Sequence, residues 1–326
     1  MKTFLHRYGA DASMGFITLI WSIHFIVVKD AISDLPPLTF NAIRFSIGLP
    51  VLLLAALRNP AAMRIERADI PRLILLGLIG PFGYQLFFIL GLDHTTATNI
   101  ALLTATMPTW TALLTIVLGL VIIRRKLMLG VIMSLIGVAL VILGRDGAEL
   151  SLSWTDMLGS CLALGAALVA AIYNLAIKPL VDRYGGAVIA VWTYCLTTIG
   201  LIVVSSPDLL TLTADDLPPN LWPHLFYSGV LSCAFGFLVE NYAIRHIGPA
   251  RTATYYNFMP LIAACASVLV LGEPLGLGLL VGGPLTLLGV VIVRYNTYLR
   301  IPDQQPAADR RIRTGTYNQV IKEEIP

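Results

Sequence analysis

Charged residues are scarce in this sequence. Lys, Arg, Asp and Glu make up only 13% of its 326 residues, whereas 57% of the residues are hydrophobic. A soluble domain carries about 25% charged residues, so the composition excludes a soluble enzyme of this length. A membrane span needs about 20 consecutive apolar residues, and the chain is therefore long enough for about ten spans with loops and tails between them.

Cysteine is scarce as well, and its placement excludes a disulfide or zinc framework. No CxxC pair occurs, and the four cysteines fall one each in four successive apolar segments: Cys161, Cys195, Cys233 and Cys265. A small buried hydrophobe is the expected role of each. The net charge of +3 does not indicate a nucleic-acid partner. We expect no metal, no cofactor and no nucleic acid.

Long apolar runs bounded by charged or turn residues occur ten times. The runs are Ala12–Val28, Leu38–Leu57, Leu73–Leu92, Ala97–Ile123, Leu127–Leu143, Met157–Ile177, Ala187–Val204, Leu221–Ala243, Ala253–Leu271 and Leu277–Val293. In lipid every backbone amide must be satisfied within its span, so runs of this length are predicted to be helices. The sequence therefore predicts an all-α integral membrane protein with ten transmembrane helices.

Basic residues are distributed unevenly among the predicted loops. With both termini in the cytoplasm, 19 of the 22 Lys and Arg residues lie on the cytoplasmic side. Only Lys29 and Arg145 lie outside, and Arg44 falls within a span. Short basic loops are retained in the cytoplasm, so the pattern predicts a plasma (bacterial inner) membrane protein with cytoplasmic termini. Residues 296–326 are rich in Pro, Gln and charge, and we expect a disordered cytoplasmic tail.

The two halves of the chain are related by an internal repeat. A shift of 152 positions superposes the following pairs: Gly77 and Gly229, His94 and His246, Ala101 and Ala253, Pro108 and Pro260, Gly130 and Gly282, and Gly137 and Gly289. Each repeat, 12–144 or 156–295, contains five spans. Because five is odd, the second repeat enters the membrane from the opposite side. Inverted repeats are common in secondary transporters, which bind substrate at the repeat interface.

Two prolines of the repeat, Pro108 and Pro260, lie near the middle of the fourth and ninth spans. A proline inside a helix removes one backbone hydrogen bond and can kink or open the helix. The two residues are therefore candidate helix kinks beside a substrate cavity. A kink with a purely structural role is the alternative.

Two stretches resemble the EamA-type domains of the drug/metabolite transporter superfamily. The first runs from Trp21 through Lys29 to Pro-Pro-Leu-Thr-Phe at 36–40 and Arg44; the second includes Gly-Pro-Ala-Arg at 248–251 and Leu-Gly-Glu at 271–273. The resemblance covers about residues 12 to 295, as two tandem domains of five helices. It implies transport of small metabolites, often amino acids, through a central cavity between the repeats. Repeat one lacks the Gly-Glu pair, and for Glu273 we expect only a cap on the last helix.

Polar side chains inside the predicted spans form two layers. A rise of about 1.5 Å per residue places His24, Arg44 and Gln85 roughly 8 to 12 Å below the outer surface. Asn174 and Glu240 lie roughly 6 to 8 Å above the inner surface. Arg44 and Glu240 are then about 12 Å apart along the membrane normal in a core of about 30 Å, which excludes a direct bond without tilt.

Each of these ionisable residues has two candidate roles. Arg44 could bind a substrate carboxylate through its two-pronged guanidinium or, as the family resemblance suggests, bond to loop carbonyls. Glu240 could couple transport to protons or form an ion pair with Arg245 near the cytoplasm. His24 could line the cavity and titrate near neutral pH, or bond to a backbone carbonyl.

Aromatic residues supply the other half of a small-molecule cavity, which is mostly apolar with a few placed polar groups. The candidates are Trp21, Tyr84, Trp110, Tyr173, Trp192, Tyr255 and Tyr256; helix packing or an interfacial belt is the alternative for each. The predicted substrate site thus consists of Trp21, His24, Arg44, Tyr84, Gln85, Trp110, Tyr173 and Asn174, with Glu240 as the candidate coupling residue.

The sequence predicts a secondary transporter of small organic metabolites, with amino-acid export by alternating access as the best guess and protons as a candidate partner. A sugar, nucleotide-sugar or drug transporter of the same superfamily is the alternative. An intramembrane enzyme is disfavoured because the spans hold no HExxH and no Asp pair, and the five histidines are far apart. A receptor is disfavoured because it has no need of two inverted halves.

Overall fold

A computed structural model describes residues 2–56, 63–119, 124–143, 154–213, 217–247, 252, 255–273 and 276–298. Within these ranges the chain is almost entirely helical and contains no β-strand. Nine helices in the described part are long and apolar enough to cross a membrane, and the shorter apolar helix Tyr256–Leu271 completes the predicted ten. The predicted all-α membrane architecture is therefore confirmed.

We number the spans α1 to α10 in chain order. Their bounds are Lys2–Ala31 (α1), Pro37–Ala56 (α2), Ile70–His94 (α3), Ala97–Val117 (α4), Arg125–Leu143 (α5), Trp154–Tyr184 (α6), Gly186–Val204 (α7), the consecutive pieces Leu221–Phe226, Tyr227–Phe235 and Gly236–Ile247 (α8), Tyr256–Leu271 (α9) and Leu277–Tyr298 (α10). Helices α1 and α6 extend furthest beyond their predicted ends. The length of an apolar run reflects the thickness of the hydrocarbon layer. It underestimates the length of a helix that continues through charged residues beyond that layer.

The ten helices alternate in direction, so their termini meet at two ends of the bundle. We name these the Pro37 end and the Tyr184 end. The Pro37 end holds the beginning of α2 and the ends of α1, α3 and α9. The Tyr184 end holds the end of α6 and the beginnings of α3, α5 and α7.

The five helices of one half repeat in the other half. Shifting α5 by the 152 positions found in the sequence places it on residues 277–295 of α10. The same shift places Leu78–Phe82, a π-helical segment within α3, inside Tyr227–Phe235, the π-helical segment of α8. Even this backbone irregularity is therefore duplicated.

Paired glycines show that the two repeats are inverted. A Cβ atom on Gly137 would lie 2.7 Å from the carbonyl oxygen of Gly282, and one on Gly289 would lie 2.6 Å from that of Gly130. Gly130 therefore faces Gly289, and Gly137 faces Gly282, so the order along α5 is reversed along α10. The two equivalent helices cross antiparallel with their backbones in contact, as small residues permit in membrane helices.

The first helix of each repeat packs mainly against the other repeat. Helix α1 lies against α8 and α9, and α6 lies against α3 and α4. Because α1 and α6 each pack against the other repeat, the two repeats are interlocked. The helices that pack together are therefore not all adjacent in sequence.

Buried apolar residues form one large cluster at the Pro37 end and several smaller clusters elsewhere. The largest cluster of buried residues, which includes Leu35, Phe40, Leu92 and Leu221, joins both repeats at the Pro37 end. Three smaller clusters lie toward the Tyr184 end, around Met14, Leu73 and Leu127 respectively. The repeats are therefore sealed together at the Pro37 end.

Glu273 strengthens this seal. Its carboxylate accepts hydrogen bonds from the backbone N–H of Ala97 (2.8 Å) and Thr98 (3.3 Å), the Thr98 hydroxyl (2.9 Å) and the Ser267 hydroxyl. The prediction that Glu273 caps the last helix is therefore wrong, since it caps α4 of the other repeat. Gly272, in the left-handed conformation (φ 64°), turns the chain at the end of α9. A carboxylate is favourable at a helix N-terminus because it accepts from otherwise unpaired N–H groups.

Several features of the sequence prediction, among them Arg145 and the Gly-Pro-Ala-Arg stretch at 248–251, lie outside the described residues. The predicted tail, 296–326, is described only as far as residue 298. The side chain of Arg245, the alternative ion-pair partner of Glu240, is also outside the described part.

We predict that Gly137→Ala destabilises the protein by about 1 to 3 kcal/mol because the added methyl group overpacks the α5–α10 crossing. The nearest obstacles are the Thr286 hydroxyl oxygen and two backbone atoms that cannot rotate away, the Thr286 nitrogen at 2.5 Å and the Gly282 oxygen at 2.7 Å from the added carbon. The measurement is thermal unfolding of the purified protein in detergent. Gly283→Ala is the matched control on α10, because the nearest atom to its added carbon is 3.7 Å away. Equal melting temperatures for the two variants would contradict the prediction.

Candidate functional site

A cavity of about 640 Å³ lies between the two repeats. Aromatic side chains form much of its wall: Trp21, Phe25, Phe45, Tyr84, Phe88, Tyr173, Tyr194, Phe237 and Tyr256. Polar side chains are interspersed among them: His24, Gln85, Thr104, Asn174, Thr193, Thr197, Ser232, Glu240, Asn257 and Arg294. An apolar cavity of this size with a few polar groups is typical of a small-molecule site.

Within the spans as the structure describes them, the backbone departs from the α-helix at four places, and each of them borders the cavity. The π-helical segments of α3 and α8 contribute Pro81 and Ser232 to the wall. Helix α4 is interrupted at residues 105–106, and α9 begins with a 3-10 turn, Tyr256–Phe258. Irregular backbone is tolerated at membrane depth only where protein or a cavity surrounds it. The duplicated irregularities therefore mark the cavity.

Pro108 and Pro260 line the cavity directly after two of these irregularities. Each is the second residue of a helical piece, Met107–Val117 in α4 and Met259–Leu271 in α9. The first turn of a helix leaves its N–H groups unpaired, so a proline there sacrifices no hydrogen bond. The two prolines thus start new helical pieces at mid-membrane, where the sequence predicted kinks.

A polar cluster around Arg44 lies against the cavity wall. The Arg44 guanidinium donates from Nε to Asn41 Oδ1 (2.6 Å) and from Nη2 to Gln85 Oε1 (2.9 Å), and its Nη1 bonds to His24 Nε2. Arg44 is fully buried, and within the described part of the chain no carboxylate pairs with it. Its partners are neutral side chains of three helices, so neither a loop carbonyl nor an acidic residue explains its position.

Close helix packing holds the Arg44 cluster in place. Asn41 and Arg44 are three residues apart on α2 and therefore share one face of that helix. On the other side of α2, the backbone carbonyl of Arg44 lies so close to Gly229 of α8 that a Cβ atom at residue 229 would clash with it. The guanidinium lies 5.8 Å from the Phe40 ring centroid and 5.3 Å from that of Phe45. The side chain is thus enclosed by two rings and three hydrogen-bond acceptors.

A second polar group lies nearer the Tyr184 end of the cavity. The Tyr256 hydroxyl donates to the Glu240 carboxylate. Arg294 donates to Asn257 Oδ1 (3.0 Å) and lies 6.0 Å from the Tyr256 ring centroid. The ring centroids of Trp21 and Tyr256 are 5.7 Å apart, and Trp21 Nε1 donates a hydrogen bond to the Ser232 carbonyl oxygen (2.9 Å). Trp21 therefore lies between the Arg44 cluster and Glu240.

Most of the predicted site residues border the cavity. Those that line it are Trp21, His24, Tyr84, Gln85, Tyr173, Asn174 and Glu240, together with Pro108 and Pro260. Arg44 lies behind the wall, and Trp110 is not among the lining residues. The Asn174 amide is exposed and lies 3.3 Å from the Met107 sulfur.

On α7 the sequence indicated only Trp192, which is not among the lining residues. Four other residues of α7, which sequence reasoning missed, line the cavity: Ala190, Thr193, Tyr194 and Thr197. Their spacing of three, four and seven residues is that of one helix face, which was a detectable signal. Arg294 was also missed, because a basic residue near a helix end had been counted with the cytoplasmic loops.

A family model described as the EamA-like transporter family matches the chain twice, over residues 12–143 and 157–295. Each match covers one five-helix repeat, and together they span most of the sequence. A solved crystal structure superposes with a TM-score of 0.61 and 19% sequence identity, covering 92% of this chain and 100% of the other. At that identity the likeness concerns the fold alone.

Curated relatives align along nearly their whole length. An uncharacterized transporter of Bacillus subtilis, YyaM, is 26% identical over 282 residues, which are 84% of this chain and 92% of the relative. An uncharacterized transporter of Archaeoglobus fulgidus is 24% identical, with 84% and 94% covered. A protein of Streptantibioticus cattleyicolor described as a probable terminal-alkyne amino-acid exporter is 26% identical, with 85% and 90% covered.

Proposed function

The chain belongs to the EamA-like transporter family, and from that premise we propose that it is a secondary transporter that exports small organic metabolites, with amino acids as the best candidates. The observation that carries the proposal is the cavity of about 640 Å³ between two inverted repeats. Both repeats contribute to one wall, so a rearrangement of either repeat changes access to the same site. Alternating access around a site at the repeat interface follows from this design.

The lining of the cavity supports an amphipathic cargo. Aromatic rings such as Trp21, Tyr84 and Tyr173 offer apolar contact area, while His24 and Gln85 offer hydrogen bonds at one level. An amino acid carries both kinds of surface. The similarity to a protein described as a probable amino-acid exporter supports the same class and the direction of transport.

We further propose that the Tyr184 end faces the cytoplasm and that the cavity is accessible from it. The basic loops between α2 and α3 and between α4 and α5 lie at this end, as the retention of basic loops in the cytoplasm requires. The largest cluster of buried apolar residues and the Glu273 cap lie at the other end. At the Tyr184 end the buried clusters are small, and the exposed Asn174 borders the cavity. An exporter loads its cargo from this side.

Glu240 is our candidate for proton coupling. Its carboxylate borders the cavity and accepts a hydrogen bond from the Tyr256 hydroxyl, and Arg294 borders the same region. Ionisable residues inside membrane helices commonly mark proton or substrate pathways. A carboxylate in this position can take up and release a proton as access alternates.

The purified protein in liposomes should move labelled amino acids across the bilayer. The measurement is counterflow of a panel of radiolabelled amino acids, sugars, nucleotide sugars and cationic drugs into preloaded vesicles. Preloaded liposomes without protein give the background uptake. Counterflow of sugars or drugs alone would move the cargo to another class, and failure of the whole panel would contradict the transporter proposal.

Glu240→Gln should abolish the stimulation of transport by an imposed pH gradient while leaving counterflow, which needs no gradient, within about threefold of the parent. The amide keeps the size of the side chain and its bond from Tyr256 but cannot exchange a proton at neutral pH. The measurement is uptake with and without the gradient. Stimulation that persists in the variant, or is absent in the parent, removes Glu240 as the coupling residue.

A cysteine at Asn174 should react from the cytoplasmic side only. We expect Asn174→Cys, in a background whose four native cysteines are replaced by alanine, to be labelled by a membrane-impermeant maleimide in inside-out vesicles. Ser33→Cys is the matched control, because Ser33 is exposed at the Pro37 end and should be labelled only in right-side-out vesicles. The reverse pattern would contradict the proposed orientation.

A further inference from the structure

The hydrogen bonds around Arg44 fix which atoms of its neighbours are donors. A guanidinium carries only N–H donors and stays protonated in proteins, so every atom that bonds to it must be an acceptor. The atom facing Nη2 is therefore the oxygen of the Gln85 amide, and the His24 Nε2 that faces Nη1 carries no proton. The chemistry of Arg44 thus decides the amide orientation and the imidazole tautomer.

The remaining polar atoms of these two side chains are both donors. His24 must be a neutral imidazole, since an imidazolium has no acceptor, and its single proton is on Nδ1. Gln85 has its oxygen directed to Arg44 (2.9 Å) and keeps two N–H bonds on Nε2. Both residues line the cavity. Arg44 therefore leaves its two neighbours with N–H groups alone to offer a bound molecule.

These donors are available to the cavity. In the part of the chain that the structure describes, neither His24 Nδ1 nor Gln85 Nε2 has a hydrogen-bond partner. Neither is sealed in the interior, because the enclosed side-chain atoms without a partner in that part are the hydroxyls of Ser205 and Ser228. The His24 ring stacks on Phe88 with centroids 6.3 Å apart, which fixes its orientation. Two oriented donors thus await an acceptor.

The charge behind these donors selects the kind of acceptor. Arg44 is fully buried, and its three bonded partners are neutral. A buried charge is costly unless it is compensated. Arg44 makes no contact with the cavity itself, so an anion bound beside His24 and Gln85 is the compensation that this geometry allows.

We propose that His24 and Gln85 form an anion subsite, held in its donor state by Arg44, that binds the carboxylate of the transported molecule. Arg44 is a positioning residue, and His24 Nδ1 and Gln85 Nε2 make the contacts. The inference rests on the proposed transport function and narrows the cargo to small organic carboxylates. Their apolar part would extend along the aromatic wall formed by Tyr84 and Trp21.

The test compares each carboxylate with its amide, which keeps the shape of the carboxyl group but lacks its negative charge. The full-length protein in detergent is titrated with the twenty L-amino acids, hexanoate and octanoate in a thermal-shift assay, and every ligand that binds is compared with its carboxamide. A charge-assisted hydrogen bond is stronger than a neutral one, so we expect the amide to bind at least about tenfold more weakly. Equal affinities, or no carboxylate that binds, would overturn the proposal.

Variants test the assigned atoms. Gln85→Glu is isosteric, places a carboxylate against Arg44 and replaces the donor by an acceptor, so the preference for carboxylate over amide should fall to about onefold. His24→Phe should lower the preference by at least about tenfold, whereas His24→Gln, which can accept from Arg44 and donate to the ligand, should retain it. Ser46→Ala on the same helix as Arg44 should leave it unchanged. A preference that survives both Gln85→Glu and His24→Phe would overturn the subsite.

The role of Arg44 is tested by the same ratio of carboxylate affinity to amide affinity. A general structural defect would weaken both ligands and leave this ratio unchanged. Arg44→Met should lower the carboxylate preference even where the variant still binds a neutral ligand. Counterflow separates this proposal from the transport function. If the parent protein transports only uncharged or cationic compounds, the subsite is overturned and the transporter stands; if it binds carboxylates but transports nothing, the proposed function fails and the subsite stands.

Discussion

Backbone hydrogen bonding in a medium without water is the constraint on which the rest of this structure depends. Each span must pair its own N–H and C=O groups, so the regular helix is the rule. Among the described residues of the spans, the exceptions are the π-helical segments of α3 and α8, the interruption of α4 and the 3-10 turn of α9. All four border one cavity. A site that needs irregular backbone can exist at membrane depth only where other helices surround it, and the exchanged positions of α1 and α6 supply that surrounding.

Two polar groups border the cavity at different levels. At one level, Arg44 bonds to His24 and Gln85, which line the cavity, while its own side chain lies buried behind the wall. Nearer the Tyr184 end, Glu240 and Tyr256 form a second polar group, with Trp21 between the two levels. In our proposal the first level holds the cargo and the second responds to protons. Separating the two tasks keeps the positive charge of Arg44 from being cancelled by Glu240, which direct contact would have caused.

The sequence predicted the architecture well because its strongest signals are physical requirements of the bilayer. Span length, the distribution of basic residues and the 152-residue repeat lead to ten helices in two inverted halves. A fixed rise per residue also placed His24, Arg44 and Gln85 at one depth, and in the structure these side chains are in contact. Depth is a property of each helix alone, so it can be counted along the chain.

What the sequence could not supply is the direction in which a side chain points across helices. Trp110 follows the interruption at residues 105–106, which shifts the helical phase, and it is not among the lining residues. Glu273 caps a helix 176 residues away in sequence, a partner that no local rule identifies.

The α5–α10 crossing has a consequence for how the two repeats arose. Gly130 and Gly282 are equivalent positions in the two repeats, and so are Gly137 and Gly289. Gly130 contacts Gly289 and Gly137 contacts Gly282, so the two repeats contribute equivalent residues to the crossing. A single five-helix ancestor inserted in both orientations would form this same crossing with its twin, so gene fusion could join two such subunits without inventing a new interface.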